Sequence, residues 1–275
     1  MAKRTAKNSV FIDLFQNKSY LLKLYKTLHP EDTTATEDSL TDVTITNVLT
    51  DNLYNDLGFI VNNKLMILIK AQSTWTVNIL VRVLLYLAQS YHEYFQRTSQ
   101  DYYKNRKVKM PTPELYVIFT GNKGRKPDKI LLSKEFFKGA DIDIEFRAKV
   151  IYESDTDDII NQYIIFCKVF NEQTKQYGMT QKAVTETIRI CKDRNVLREY
   201  LLDREKEVVT IMMSLFDEEQ IMKSFIRSER HDEARETAER MIRKGRLSLE
   251  EVADYVPTLS FDELKEIESE VMQLA

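Results

Sequence analysis

Glycine and proline are scarce, with 6 and 5 among 275 residues. So few chain-breakers argue against folds made of many tight turns and favour long regular elements, mostly helices. Cysteine is nearly absent: Cys167 and Cys191 both sit in helical patterns, with no partner spacing for a disulfide framework or a metal knuckle. That usage points to a reducing, cytoplasmic location. No apolar run approaches the roughly 18 residues of a membrane span, so no membrane partner is expected. The opening MAKRTAKNSVF is basic but lacks the apolar centre of a secretion signal. Neither sign of charge dominates, at 40 Lys plus Arg against 43 Asp plus Glu. Any nucleic-acid contact must therefore rest on patches rather than on net charge. The three histidines, His29, His92 and His231, are scattered and suggest neither metal ligation nor a catalytic dyad. What is present, 43% hydrophobic and 30% charged residues, suits a chain that buries a sizeable core.

Periodicity divides the chain into an α/β part and a helical part. Ser9 is placed to cap one helix through VFIDLFQNKSYLLKLYKTLHP, ended by His29-Pro30. EDTTATEDSLTD reads as a polar loop and VTITNVL (43–49) as a short strand. A hairpin follows, and then TVNILVRVLLYLAQSYHEYFQ keeps apolar residues at helical spacing. ELYVIFTG (114–121) is a continuous apolar run closed by glycine, the pattern of a strand buried on both faces. FRAKVIYES (146–154) is another strand, and beyond Asp157 the pattern is helical, with breaks near Gly178, Gly245 and Pro257. Tyr163, Phe166 and Phe170 form a helix face that packs on the core. The expected organisation is an α/β core over 1–155, a helical extension over 156–228 and a short helical tail over 229–275. Serines precede Leu-Glu-Glu and Phe-Asp-Glu in the tail as capping boxes. A helix-turn-helix reading is disfavoured, because the reading helix lacks the Arg, Asn and Gln side chains that base contacts favour.

The chemistry gathers in NDLGFIVNNKLMILIKAQSTW (55–75). Strand alternation puts Met66, Leu68, Lys70 and Gln72 on one face. A three-residue turn, Asn62-Asn63-Lys64, would pair Val61 with Leu65 and set Asp56 opposite Lys70, roughly 5 Å away at Cβ. A two-residue turn would break that coincidence. An acid, then acid-x-Lys/Gln on the adjacent strand, is an arrangement for phosphodiester cleavage. Two carboxylates hold a divalent cation, which polarises the phosphate and acidifies a bound water. Here a lysine stands where the second acid belongs.

The blocks VFIDLFQNKSYLLKLYKTLHPED, NVLTDNLYNDLGFIV, ILIKAQSTWTVNILVRVLLYLAQSYHEYF, PELYVIFTG, DIINQYIIFCKVFNEQ and TIRICKDRNVLREYL resemble the PD-(D/E)XK nuclease family transposases, the recombination-promoting nuclease group. The resemblance runs from about residue 9 to about residue 228. It implies a restriction-endonuclease-like α/β core, a mixed central sheet flanked by helices, with a helical C-terminal region. It also implies DNA as partner and a Mg2+- or Mn2+-dependent endonuclease. Asp56 matches the family's first metal-binding acid and Gln72 the usual lysine position, while Lys70 replaces the motif glutamate. The helix behind the site makes Arg82, Tyr86 and Gln89 supporting candidates. Thr46 stands where an acid often precedes the NVL block.

Asp56 with Lys70 sums to about zero charge, and the pair would attract by roughly 4 kcal/mol at about 4 Å and an effective dielectric near 20. An ammonium there takes the cation's place, so no metal is expected in this chain. The residue is either a substitution introduced into a glutamate-bearing protein or a loss within the lineage. The blander readings are a lysine snorkelling from a strand end, a turn aspartate at 56 and a capping role for Gln72. Two basic loops, with Lys104, Arg106, Lys107 and Lys109 in one and Lys123, Arg125 and Lys126 in the other, suit phosphate contact, although charged loops are usually just solvated. Tyr86, Tyr91, Tyr94 and Phe95 read as core rather than stacking platforms. Three functions compete: a metal-dependent DNA endonuclease silenced at Lys70, a non-catalytic DNA-binding or regulatory paralogue, and a structural oligomer. A homodimer through the tail is expected, because Leu247, Leu249, Val252, Leu259, Phe261, Leu264 and Ile267 look too apolar for so short a segment to bury alone.

Overall fold

The computed structural model describes residues 10–43, 57–71, 76–121, 127–245 and 247–273. It divides into two compact units, Met1–Met213 and Ser214–Ala275. In the first, the expected long helix is two: α1 (Val10–Gln16) and α2 (Lys18–Leu28). Asn17 separates them. It leaves helical dihedrals at φ −76°, ψ 120°, and its side chain accepts from Ser19 N at 2.9 Å, so it starts a new helix rather than continuing the old one. His29 ends α2, as the sequence predicts.

A six-stranded mixed sheet forms the centre. β1 (Leu40–Val43) pairs antiparallel with β2 (Leu57–Val61), and β2 with β3 (Lys64–Ala71). β3 crosses over through α3 (Ile79–Arg97) to β4 (Thr112–Phe119), which lies parallel beside it. β5 (Lys129–Leu131), the short α4 (Leu132–Phe136) and β6 (Arg147–Ile151) complete the order β1-β2-β3-β4-β6-β5, with β6 parallel to β4 and β5 at the edge. The polar segment after Pro30 ends sooner than expected, in β1 at Leu40; most of 43–49 lies outside the described residues. The sheet is mixed and helix-flanked, as expected.

Alternation along β3 and β4 builds two apolar faces. Leu65, Ile67, Leu115, Val117 and Phe119 pack under Ile79, Leu80, Val83 and Tyr86 of α3. Met66, Tyr116 and Ile118 are also buried, on the other face, where His29 at the end of α2 reaches Tyr116. The helices α5 (Ile159–Tyr177), α6 (Gln181–Asp193) and α7 (Arg198–Asp203) belong to this same unit. Phe11 of α1 meets Tyr163 of α5 at 5.1 Å between ring centroids, as the apolar face of α5 predicts. Asp13 then ties α1 to the helices that follow. Its carboxylate accepts from the Tyr200 hydroxyl at 2.8 Å and from Arg204 Nε and Nη2 at 3.0 and 2.8 Å. Both cysteines are free and buried, and burial pushes the Cys191 thiol up to about 12.

α8 (Glu205–Arg243) carries the chain into the second unit, with α9 (Leu249–Tyr255) and α10 (Phe261–Gln273). The tail corrects one expectation. Val252, Leu259, Leu264 and Ile267 are buried against Ala238 within this unit, joined by the half-buried Leu249, Met241 and Ile242. The last turns of α8 supply the missing cover, so these positions need no second copy to leave water; Leu247 and Phe261 stay exposed. Both capping serines act as predicted: Ser248 with Glu251, and Ser260 with Glu263. No helix among the described residues is long and apolar enough to cross a membrane.

Candidate functional site

The hairpin turn decides how the site can be assembled. Asn62 and Asn63 take φ of 46° and 62°, and Val61 pairs with Lys64 across them. This is a two-residue turn with both central residues left-handed, the geometry whose twist matches the flanking strands and which asparagine tolerates. Asn62 Nδ2 also donates to Asp32 Oδ2 at 2.9 Å, which anchors the tip. The three-residue turn expected from the sequence does not occur. The register is shifted by one residue from the one required to set Asp56 opposite Lys70. Its last described pair is Leu57 with Leu68. Asp56, Gln72 and Thr46, with Lys123, Arg125 and Lys126 of the second basic loop, lie outside the described residues.

Lys70 is the penultimate residue of β3 and pairs with Ile118 of β4. It therefore lies at the carboxyl ends of a parallel pair, near the start of α3. Arg82 is in the first turns of α3, at this end, with its Nε buried. Tyr86 is a turn further on, 4% exposed, and belongs to the core under the helix. Gln89 is roughly 10 Å along the axis from Arg82 and donates to Glu93 at 2.7 Å. Lys104, Arg106, Lys107 and Lys109 of the first basic loop precede β4, at its amino end.

The amino end holds a cluster that sequence reasoning missed. His29 is 5% exposed and stacks on Tyr25 at 4.9 Å. Its Nδ1 meets Glu31 Oε1 at 2.9 Å and Lys64 Nζ at 3.1 Å, and its Nε2 meets Glu114 Oε2 at 2.9 Å. The Tyr116 hydroxyl donates to Glu114 Oε2 at 2.7 Å, and Lys149 Nζ to the Tyr116 oxygen at 3.3 Å. Burial alone would raise Glu114. The Tyr116 hydrogen bond and the charges of His29 and Lys64 outweigh it and hold the carboxyl below its ordinary value. Burial, then the Glu114 hydrogen bond, push the Tyr116 phenol far up. Each charge answers another, so the cluster fastens α2 to β3 and β4. His29 and Glu114 are 85 residues apart, and no local spacing signals their meeting.

A cavity of about 550 Å3 opens among α2, the start of α5 and the start of α7. Lys23, Lys26 and Arg198 line it alongside Asp157, Asp158 and Glu199, so its wall has no single sign. Lys23 and Glu199 pair at 3.7 Å.

Of the residues expected to hold a divalent cation, Asp56 and Gln72 lie outside the described residues, and Lys70, an N–H donor only, offers a cation no ligand. Among the described residues, no group of three His, Cys, Asp or Glu is placed to hold a metal. Comparison of the chain with protein-family models, curated proteins and solved structures finds no match.

Proposed function

We propose that this chain is a DNA-processing protein on the plan of the PD-(D/E)XK nuclease family transposases, held catalytically silent by Lys70. One observation carries the reading: Lys70 lies at the carboxyl ends of the parallel strands β3 and β4, beside the start of α3. Open α/β sheets place their ligands at that end. A glutamate at 70 would add the second carboxylate that a Mg2+ site asks for; lysine removes it and supplies the positive charge itself. The bound cation would serve to polarise a scissile phosphate. What this chain retains is the capacity to hold DNA. Cutting both strands of a duplex would need two such sites, most simply in a symmetric pair whose interface lies outside the tail's buried core.

The test is plasmid nicking with Mg2+ or Mn2+, with and without EDTA, for the chain as it stands and for Lys70→Glu. The parent should leave the plasmid intact. The variant should nick it in an EDTA-sensitive way and gain a thermal shift on adding Mn2+ that the parent lacks. Robust EDTA-sensitive nicking by the parent, or an identical metal response in both, would overturn the assignment of Lys70.

A further inference from the structure

Between α3 and β4 the chain makes a loop that neither the core nor the proposed site uses. Gln100 closes it: Lys109 N donates to Gln100 Oε1 at 2.6 Å, and Gln100 Nε2 donates to Lys109 O at 3.1 Å. Past the closure, the Tyr91 hydroxyl donates to Pro111 O at 2.8 Å. The loop is thus pinned at its base although its residues face water. A chain of rings leads out along it. Phe95 lies in the core margin, Tyr102 sits 5.8 Å from it, and Tyr103 sits 4.7 Å from Tyr102. The chain ends in Tyr103, which is 87% exposed. Lys104, Arg106, Lys107 and Lys109 follow at once. The loop's acid, Asp101, meets Lys104 at 3.6 Å and accepts from Tyr103 N at 2.9 Å. Among the described residues, no ion pair engages Arg106, Lys107 or Lys109.

A lone exposed tyrosine or a lone basic loop is ordinary surface. Joined on one pinned loop, they match one ligand chemistry. Cations meet backbone phosphates, and an open aromatic face stacks on an unpaired base. A duplex covers its base faces except at its ends. A protein partner fits less well, because the buried centre of such an interface is depleted in lysine. We propose that the loop Gln100–Lys109 grips single-stranded DNA, with Tyr103 stacking on a base and Arg106, Lys107 and Lys109 holding the adjacent phosphates. The choice of DNA over RNA rests on the function proposed above; the stacking and the charge do not. The grip lies at the amino end of β4, roughly 20 Å along the strands from Lys70, so it is a holding point separate from the site of chemistry.

Fluorescence anisotropy of the full chain tests it, with a labelled oligothymidylate of about 20 nucleotides, a blunt duplex and an oligouridylate of the same length. The oligothymidylate should bind with a log–log salt slope near 2, from about 0.7 for each of the three phosphates neutralised. Tyr103→Ala should weaken it about 5- to 150-fold, the span of one lost base stack, and leave the duplex unaffected. Tyr103→Phe should bind as the parent does. Neutralising Arg106, Lys107 and Lys109 to alanine should flatten the slope by about 2. Unchanged oligothymidylate binding by Tyr103→Ala overturns the grip, as does a tighter hold on oligouridylate. Duplex binding without oligothymidylate binding removes the grip and leaves the DNA function standing. Binding of no nucleic acid removes both.

Discussion

The two units bury apolar surface on different scales and stabilise it by different means. In the first, a sheet covered on both faces buries large side chains, among them Phe11, Phe15, Tyr25, Phe59, Tyr163 and Tyr200. It also carries polar connections anchored on buried groups: Tyr200 with Asp13, which also holds Arg204, and His29 with Glu31, Lys64 and Glu114. The second unit buries a handful of aliphatic residues between α8, α9 and α10. It relies for definition on its helix ends and on polar surface contacts, such as the Arg235–Glu270 ion pair at 2.5 Å and the hydrogen bond between His231 and Glu263 at 2.9 Å. Stability scales with chain length, at about 0.05–0.15 kcal/mol per residue. The same local damage should therefore be absorbed by the first unit and be ruinous for the second.

The sharpest test is a matched pair of core deletions. Ile67→Ala under α3 and Leu264→Ala in α10 each remove a fully buried side chain, at a cost of about 2–5 kcal/mol. Hydrogen exchange should show 249–273 losing nearly all protection in Leu264→Ala, while 112–119 stays protected in Ile67→Ala. Equal residual protection in both would break the contrast.

A smaller effect probes the internal connections of the first unit. Asp13→Ala leaves the buried Tyr200 hydroxyl and the Arg204 guanidinium without their acceptor. A loss of about 1–3 kcal/mol is expected in chemical denaturation. Tyr200→Phe keeps the ring packing and should cost less. If Asp13→Ala is silent, the tie between α1 and the later helices is decorative.

The smallest effect concerns a cap in the second unit, and it depends on pH. The Ser260 hydroxyl and amide, with His231, hold the Glu263 carboxyl down at about 2. A depressed carboxyl contributes stability above its unfolded value, near 4.3, and loses it as pH falls towards 2. Protection of 261–273 should therefore decline across that window. Ser260→Ala should cost about 1 kcal/mol at neutral pH and make the decline shallower, because part of what acid removes is already gone. A decline as steep as the parent's would show that the serine does not set the carboxyl's value.

Much of this chain is legible before it folds. The apolar run at 114–121 becomes the central strand β4, the amphipathic run at 76–96 becomes α3, and Ser248 and Ser260 begin helices, because each signal lies within a few residues of what it specifies. The His29 cluster is not legible: its members come from α2, β3, β4 and β6, and only the packing of α2 on the sheet brings them together. The hairpin lies between these cases. Asn62-Asn63 announces a turn, but two- and three-residue closures are both compatible with the same letters. The choice falls to the twist of the flanking strands and the hold of Asp32 on Asn62, and with it goes the register on which the expected Asp56–Lys70 pairing stood.

By itself, the sequence determined most of the element types, the mixed helix-and-strand organisation of the first 155 residues, and the presence of a lysine at position 70 in an otherwise apolar strand, since these follow from periodicity and from which side chain stands at which position. Tertiary structure alone decided that His29 meets Glu114 and Lys64, and that the tail buries Leu259 and Leu264 against the last turns of α8. It alone decided that Tyr103 reaches water at the end of a chain of rings. Direction along a sheet, burial and ring-to-ring contact depend on residues far apart in the chain, and no local pattern contains them.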